Sequence, residues 1–249
     1  MTLWIAAFLA LAAGGLIKGA TGAGAPIVAV PVITLLTGDV SLAVSLLVFP
    51  NLIANAWQGW AYRREAVSPA FTLTFAAAGL IGAGVGTVLL AKLETHYLIL
   101  LTALAVYAYV GFRLARPDWV MPARVGRLSV LPAGLAGGVL QGVIGVSAPV
   151  SIAFLNALNL SRPAFLGTIS IFFFAMSLSQ IPVQAVYGIL TWPRAAISVL
   201  AVVPILGAMP LGTWLAQRIS RETFERVILL LLVATATRLA WVFCSAAGG

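Results

Sequence analysis

Long apolar stretches, separated by short polar segments, dominate the sequence. Six of them approach the roughly 20 residues that a helix needs to cross a bilayer. They lie near residues 40–60, 68–91, 96–115, 163–189, 193–216 and 223–244. These stretches are unbroken, whereas the strands of a transmembrane barrel alternate apolar and polar residues. The pattern therefore predicts an all-α polytopic membrane protein.

Two further apolar regions, 2–37 and 127–158, are interrupted by Gly and Pro, and they contain an internal repeat. AGGLIKGATGAGAP at 13–26 and AGGVLQGVIGVSAP at 136–149 share seven identities in 14 positions, at an offset of 123. Gly86-Thr87 and Gly212-Thr213 repeat at an offset of 126. We therefore expect two membrane repeats, each with one broken element and three transmembrane helices.

The repeat also predicts where the halves divide. Residues 1–116 would form the first repeat, 117–126 a polar linker and 127–249 the second repeat. Residues 3–13 resemble the apolar core of a signal peptide. We interpret them as part of the fold, because no cation precedes them and the same pattern recurs in mid-chain.

Composition excludes several classes of protein. Of the 249 residues, 62% are hydrophobic and 8% are charged, with a mean hydropathy of +1.10. Ordinary soluble domains carry about 25% charged residues, so a cytosolic enzyme is excluded. The net charge of +8 comes from dispersed cations rather than a basic patch. We interpret these cations as anchors beside a lipid bilayer, and we expect no nucleic-acid partner.

The broken elements have two alternative paths through the membrane. If both cross it, the loop cations divide eight to five between the two sides. If both enter and return, the division is ten to three, which fits the positive cytoplasmic side better. A re-entrant element plus three crossings would make the two repeats inverted, with both termini outside the cytoplasm. Inverted repeats are a recurrent plan of secondary transporters.

The breaks themselves predict an anion site. The segments 19–24 and 142–147 are too glycine-rich for ordinary helix, and a Pro follows each at the expected first helical turn. Each break would thus precede a helix N-terminus, which attracts anions, and the two could converge on one substrate. The candidates are Gly19, Thr21, Gly22, Gly24, Pro26, Gly142, Gly145, Ser147 and Pro149. The alternative is tight helix packing, which we prefer for Gly82 and Gly86.

Polar residues inside apolar stretches add further candidates. Lys18 precedes the first break, and Gln141 occupies the equivalent position in the second half. An ionisable group at this depth is a functional candidate, although a lysine can also extend to the interface. Asn51, Asn55 and Gln58 share one helical face, and Ser177, Gln180 and Gln184 share another. They could line a substrate path or bond between helices.

Catalytic and cofactor signatures are missing from the sequence. The chain has one histidine and one cysteine, with no H-E-x-x-H motif and no phosphate-binding loop. We therefore expect no enzyme activity, no cofactor and no metal. The residues predict a secondary transporter of a small anion, with an anion channel, a membrane scaffold and an intramembrane enzyme as alternatives. Association into a homodimer is left open.

The N-terminal glycine- and proline-rich motif, its mid-chain copy, the length near 250 and the high apolar content together resemble the TauE/SafE family. The resemblance covers essentially the whole chain, since both halves take part. It implies a bacterial inner-membrane transporter of sulfur-containing anions such as sulfite, sulfoacetate or other organosulfonates. Export of such an anion is the expected activity.

Overall fold

The computed structural model describes residues 2–115, 119–218 and 221–247, and these form helices without any strand. The elements are α1 (Thr2–Thr21), α2 (Ala25–Thr37), α3 (Val40–Ala61), α4 (Pro69–Lys92), α5 (Thr95–Ala115), α6 (Ala123–Ile144), α7 (Ser151–Ala157), α8 (Arg162–Val186), α9 (Trp192–Leu200), α10 (Val202–Arg218) and α11 (Arg221–Ala247).

Seven segments of the described chain are long and apolar enough to cross a membrane. Six are the expected ones, with α9 and α10 forming a single span, so the predicted all-helical membrane fold is confirmed. The seventh is α6, the first arm of the second broken element. It begins at Ala123, inside the stretch 117–126 that we expected to be a linker, whose first two residues lie outside the described part.

Both breaks begin three residues later than predicted; the first is therefore shorter, and the second is displaced along the chain at the same length. Gly19 lies within α1 and Gly142 within α6, so only residues 22–24 and 145–150 are non-helical. The expectation for Pro26 is confirmed, because it lies in the first turn of α2. The expectation for Pro149 is wrong, because α7 begins two residues after it, at Ser151.

Close packing explains why Gly19 and Gly142 stay helical. A Cβ on Gly19 would overlap the carbonyl oxygen of Met209 in α10, and one on Gly142 would overlap that of Ala83 in α4. The packing alternative is therefore the correct interpretation of these two glycines. A glycine inside a helix lets a second backbone approach, and this gain outweighs its weak helix propensity.

The internal repeat reappears in these helix pairs. One turn earlier, Gly15 of α1 meets the carbonyl oxygen of Ile205, and Gly138 of α6 meets that of Gly79. The glycines are related by the offset of 123, and their partners by the offset of 126. Each half therefore packs the first arm of its broken element against a helix of the other half.

Both broken elements fold as helical hairpins. The amide of Met121, just before α6, donates to the carbonyl oxygen of Ala157 at the end of α7, at 2.6 Å. The α6–α7 element thus begins and ends at one end of the molecule. α1 packs parallel to α10, and Asp39 before α3 bonds to Arg194 of α9 at 3.0 Å. The α1–α2 element consequently begins and ends at the opposite end.

An aromatic cluster lies where α4, α7 and α8 meet. The rings of Phe75 and Phe172 stack with centroids 4.0 Å apart, and Phe154 lies 5.6 Å from Phe75. Phe75 and Phe172 are fully buried. This cluster holds the long helix α8 against α4 and the second hairpin, so it fixes the position of the polar face of α8.

Candidate functional site

Lys18 lies buried at the contact between α1 and α3. Its side chain is 2% exposed, and Nζ donates a hydrogen bond of 2.7 Å to Oδ1 of Asn55. Nδ2 of Asn55 donates in turn to the carbonyl oxygen of Asn51 at 2.8 Å. The lysine does not extend to an interface, and three residues expected from the sequence lie together.

The first break lies directly beside this cluster. The amide of Gly22 donates to the carbonyl oxygen of Lys18 at 2.6 Å, and the chain then turns through Gly22 and Gly24, with φ of 81° and 100°. Residues other than glycine rarely adopt such backbone angles, because their Cβ atom would clash with the backbone. Nε2 of Gln58 lies 3.4 Å from where a Cβ on Gly22 would be, and its Oε1 has no partner in the described structure.

The Thr21 hydroxyl has a different role from the one expected. It bonds to the carbonyl oxygen of Ile17 at 2.8 Å and to that of Ala23. A hydroxyl has a single proton to donate, and here backbone acceptors at the end of α1 take it. Thr21 therefore closes the helix end rather than presenting a donor to an anion.

The second half places a neutral cluster at the equivalent position. Nε2 of Gln180 donates to the carbonyl oxygen of Gln141 at 3.2 Å. Gln141 and Gln184 are 3% and 0% exposed. Oε1 of Gln141 and both amide atoms of Gln184 have no partner among the described residues. Buried amides without partners are costly, so this cluster is suited to receiving a polar ligand or water.

The second break is held by hydroxyl groups. The hydroxyl of Ser151 bonds to the carbonyl oxygen of Ser147 at 3.0 Å and lies 2.9 Å from its hydroxyl oxygen. Gly145, with φ of 69°, makes the turn that ends α6. Ser147 is buried at this turn. Ser147 thus lies in the break and bonds to Ser151, the first residue of α7.

The two breaks do not converge on one site, which corrects the expectation. The first break lies beside Gln58, near one end of α3, whereas a Cβ on Gly145 would lie 3.1 Å from Val44, near the other. Fourteen residues separate those two positions, which is about 21 Å along a helix. Each break instead has its own polar cluster, Lys18 with Asn55 or Gln141 with Gln180.

A cavity of about 760 Å³ opens beside the first break. Its lining includes Thr21 and Gly24 at the break, together with Arg113, Asn159, Arg162 and Phe165. It lies at the end of the molecule where α1 and α5 end and α8 begins. A pocket with cationic and amide groups is suited to an anion.

Comparisons with known proteins add one finding to this geometry. Neither curated proteins nor solved structures match the chain significantly. The sequence profile of the family described as "Sulfite exporter TauE/SafE" matches residues 6–239. The chain belongs to the TauE/SafE family. It is thus a multi-pass membrane protein of a transporter family, as the resemblance implied.

For this TauE/SafE protein, sequence reasoning found the buried polar residues but missed the cavity. In the sequence Arg162 is only one of the loop cations, and Asn159 and Phe165 carry no signal at all. These residues belong to the end of one hairpin and the start of the next helix. Only the folded chain brings them beside α1, so spacing along the sequence could not have identified them.

Proposed function

We propose that the protein is a secondary transporter that exports a small sulfur-containing anion, such as sulfite or an organosulfonate. The observation that carries this proposal is the buried side-chain amine of Lys18, bonded to Asn55 beside a helix break. In this proposal Lys18, Asn55 and Gly22 form the substrate site of the first half, and Gln141 and Gln180 its counterpart in the second.

The charge balance of this cluster supports an anionic ligand. Within the described structure Lys18 makes no ion pair, and its bond to Asn55 uses one of three N–H donors. A buried charge without an opposite charge is strongly unfavourable. An anion next to Nζ would compensate it, and the amide groups of Asn55 and Gln58 would replace part of the anion's hydration shell.

The arrangement of the halves supports alternating access. The two hairpins begin at opposite ends of the molecule, which is what an inverted repeat requires. The cavity opens at the end that carries most of the loop cations, and that end would face the cytoplasm. At the other end of the molecule, two contacts hold α9 against α3. Asp39 pairs with Arg194, and the Ser198 hydroxyl donates to the carbonyl oxygen of Leu46 at 3.0 Å.

Reconstituted protein tests this function. An inside-negative potential favours anion efflux by about 2.3 kcal/mol per charge for each 100 mV. We expect saturable, potential-sensitive flux of one sulfur oxyanion from a panel of sulfite, sulfoacetate, taurine, sulfate and acetate, with a cation as control. Folded protein that moves none of these anions, or moves them without saturation, would contradict the proposal.

The orientation has a separate test. Cys244 is the sole cysteine of the sequence and is exposed near the end of α11. If both termini lie outside the cytoplasm, an impermeant thiol reagent added to intact cells labels it. Protection in intact cells, with labelling after permeabilisation, would reverse the proposed orientation.

A further inference from the structure

The cavity beside the first break is large for the anion that the buried cluster can hold. It has a volume of about 760 Å³. Sites for organic ligands typically have volumes of roughly 300–1000 Å³, so the cavity matches an organic ligand. Sulfite has four heavy atoms and would leave most of this space unfilled. The lining also contains many apolar side chains, which a hydrated inorganic anion would not contact favourably.

The start of α8 places a cation and an aromatic ring side by side in this lining. Arg162 is the first residue of the helix, and Phe165 follows three residues later, so both project from one face. Asn159, just before the helix, also lines the cavity, and so does Trp119. None of the described lining residues is acidic. This lining suits a ligand with an anionic group on an apolar body.

Arg162 also connects the cavity to the break. Its Nη2 donates to the carbonyl oxygen of Ala20, in the last turn of α1, at 3.3 Å. Charge-assisted bonds between arginine and an oxyanion are shorter, about 2.7–2.9 Å, and frequently bidentate. An oxyanion in the cavity would therefore compete successfully with the Ala20 carbonyl for the guanidinium group.

We propose that this cavity is a second anion site, in which Arg162 binds the anionic group and Phe165 contacts the apolar body of the ligand. Binding removes the guanidinium group from Ala20 and so loosens the end of α1 two residues from Lys18. The inference rests on the proposed transport path, since the cavity is its entrance. The ligand chemistry is shared by a dissolved organic anion and an anionic lipid.

Fluorescence of Trp119 tests binding without measuring transport. The protein is reconstituted in nanodiscs of neutral phosphatidylcholine and titrated with benzenesulfonate. We expect a saturable change in emission that disappears in Trp119→Phe. Methanesulfonate, which has the same anionic group without the ring, should bind at least tenfold more weakly. Equal affinity for both compounds, or no saturable change, would overturn the proposal.

Three variants separate this site from its surroundings. Arg162→Gln should weaken benzenesulfonate binding at least tenfold, whereas Arg64→Gln, a cation outside the described lining, should leave it unchanged. Lys18→Gln should lower flux about a hundredfold but keep the Trp119 signal. Loss of the signal in Lys18→Gln, or its retention in Arg162→Gln, would overturn a separate site. Failure of transport with intact binding would contradict only the proposed function.

A lipid titration distinguishes the two sources of ligand. If a dissolved anion is the ligand, phosphatidylglycerol in the nanodisc leaves Trp119 emission and benzenesulfonate affinity unchanged. If a lipid headgroup is the ligand, phosphatidylglycerol alone changes the emission, and Arg162→Gln abolishes this change. A lipid effect that persists in Arg162→Gln would contradict the role given to this arginine.

Discussion

Lys18 and Gln141 occupy equivalent places in the two halves, yet their chemistry differs. Both are buried, at 2% and 3% exposure, and each meets the polar face of a long helix. Lys18 bonds through its side chain to Asn55, whereas Gln141 accepts from Gln180 through its backbone. The second half shows that the fold accepts a neutral side chain here. The charge of Lys18 is therefore not a packing requirement, which favours a role in binding.

Replacing Lys18 by the glutamine found at the equivalent position of the second half should have the largest effect on transport. Lys18→Gln removes the ammonium group but keeps a side chain that the second half accommodates. We expect anion flux to fall about a hundredfold, which corresponds to about 2.7 kcal/mol, because a charge-assisted bond to the substrate is lost. Flux into proteoliposomes measures this. Lys92→Gln, at the exposed end of α4, is the control and should transport normally. Unchanged flux in Lys18→Gln would refute the charge role.

Replacing the hydrogen-bond partners of Lys18 and Gln141 should have the second-largest effect, and the loss of stability should be larger in the first half. Asn55→Leu leaves a buried ammonium group without its bond, so we expect the free energy of unfolding to fall by about 2 kcal/mol. Gln180→Leu should cost less than about 1 kcal/mol. The cost is smaller because the Gln141 carbonyl oxygen also accepts from the Gly145 amide at 2.9 Å. Denaturation in mixed micelles measures both. Equal losses would show that the charge does not distinguish the halves.

An added Cβ at the helix contacts, in contrast, should destabilise the two halves equally. Gly19→Ala and Gly142→Ala each introduce a Cβ that overlaps a backbone carbonyl of the neighbouring helix. We expect each to destabilise the protein by about 1.5 kcal/mol through overpacking. Gly111→Ala is the control, since no atom lies within 4 Å of its added Cβ. Thermal unfolding in detergent checks this, and a loss in only one of the two variants would contradict the structural repeat.

The smallest effect concerns a charge found only in the first half. Asp39 caps α3 through a 2.9 Å bond from the Leu42 amide and pairs with Arg194, and both paired side chains are partly exposed. Asp39→Asn keeps a capping oxygen and loses the ion pair. We expect a loss of about 0.5 kcal/mol, because solvent weakens an ion pair at the surface. Addition of salt should shrink the difference from wild type in the same unfolding assay, and a salt-independent loss would point to the cap instead.

Some of the site could be predicted from the sequence, for identifiable reasons. Lys18 and Asn55 are polar groups in apolar surroundings, and hydrocarbon leaves such groups few partners besides each other. The prediction for Pro149 is wrong, and the Thr21 hydroxyl bonds to backbone acceptors at the end of its own helix. A proline is compatible with both a turn and a first helical turn, and a hydroxyl can bond to its own helix end. The spacing of residues along the sequence does not determine which of these conformations the proline adopts or which acceptor the hydroxyl bonds to.

The sequence by itself determined six of the membrane-spanning helices, the duplication and the presence of a lysine within an apolar stretch. The helices and the significance of the lysine follow from the cost of exposing polar groups to hydrocarbon, which is a property of individual segments. The duplication follows from identities at a constant offset along the sequence. Only the tertiary structure decided which glycines pack and which unwind, how far apart the breaks lie, and that Arg162 meets α1. These depend on contacts between residues far apart in the chain, and such contacts exist only after the helices have packed.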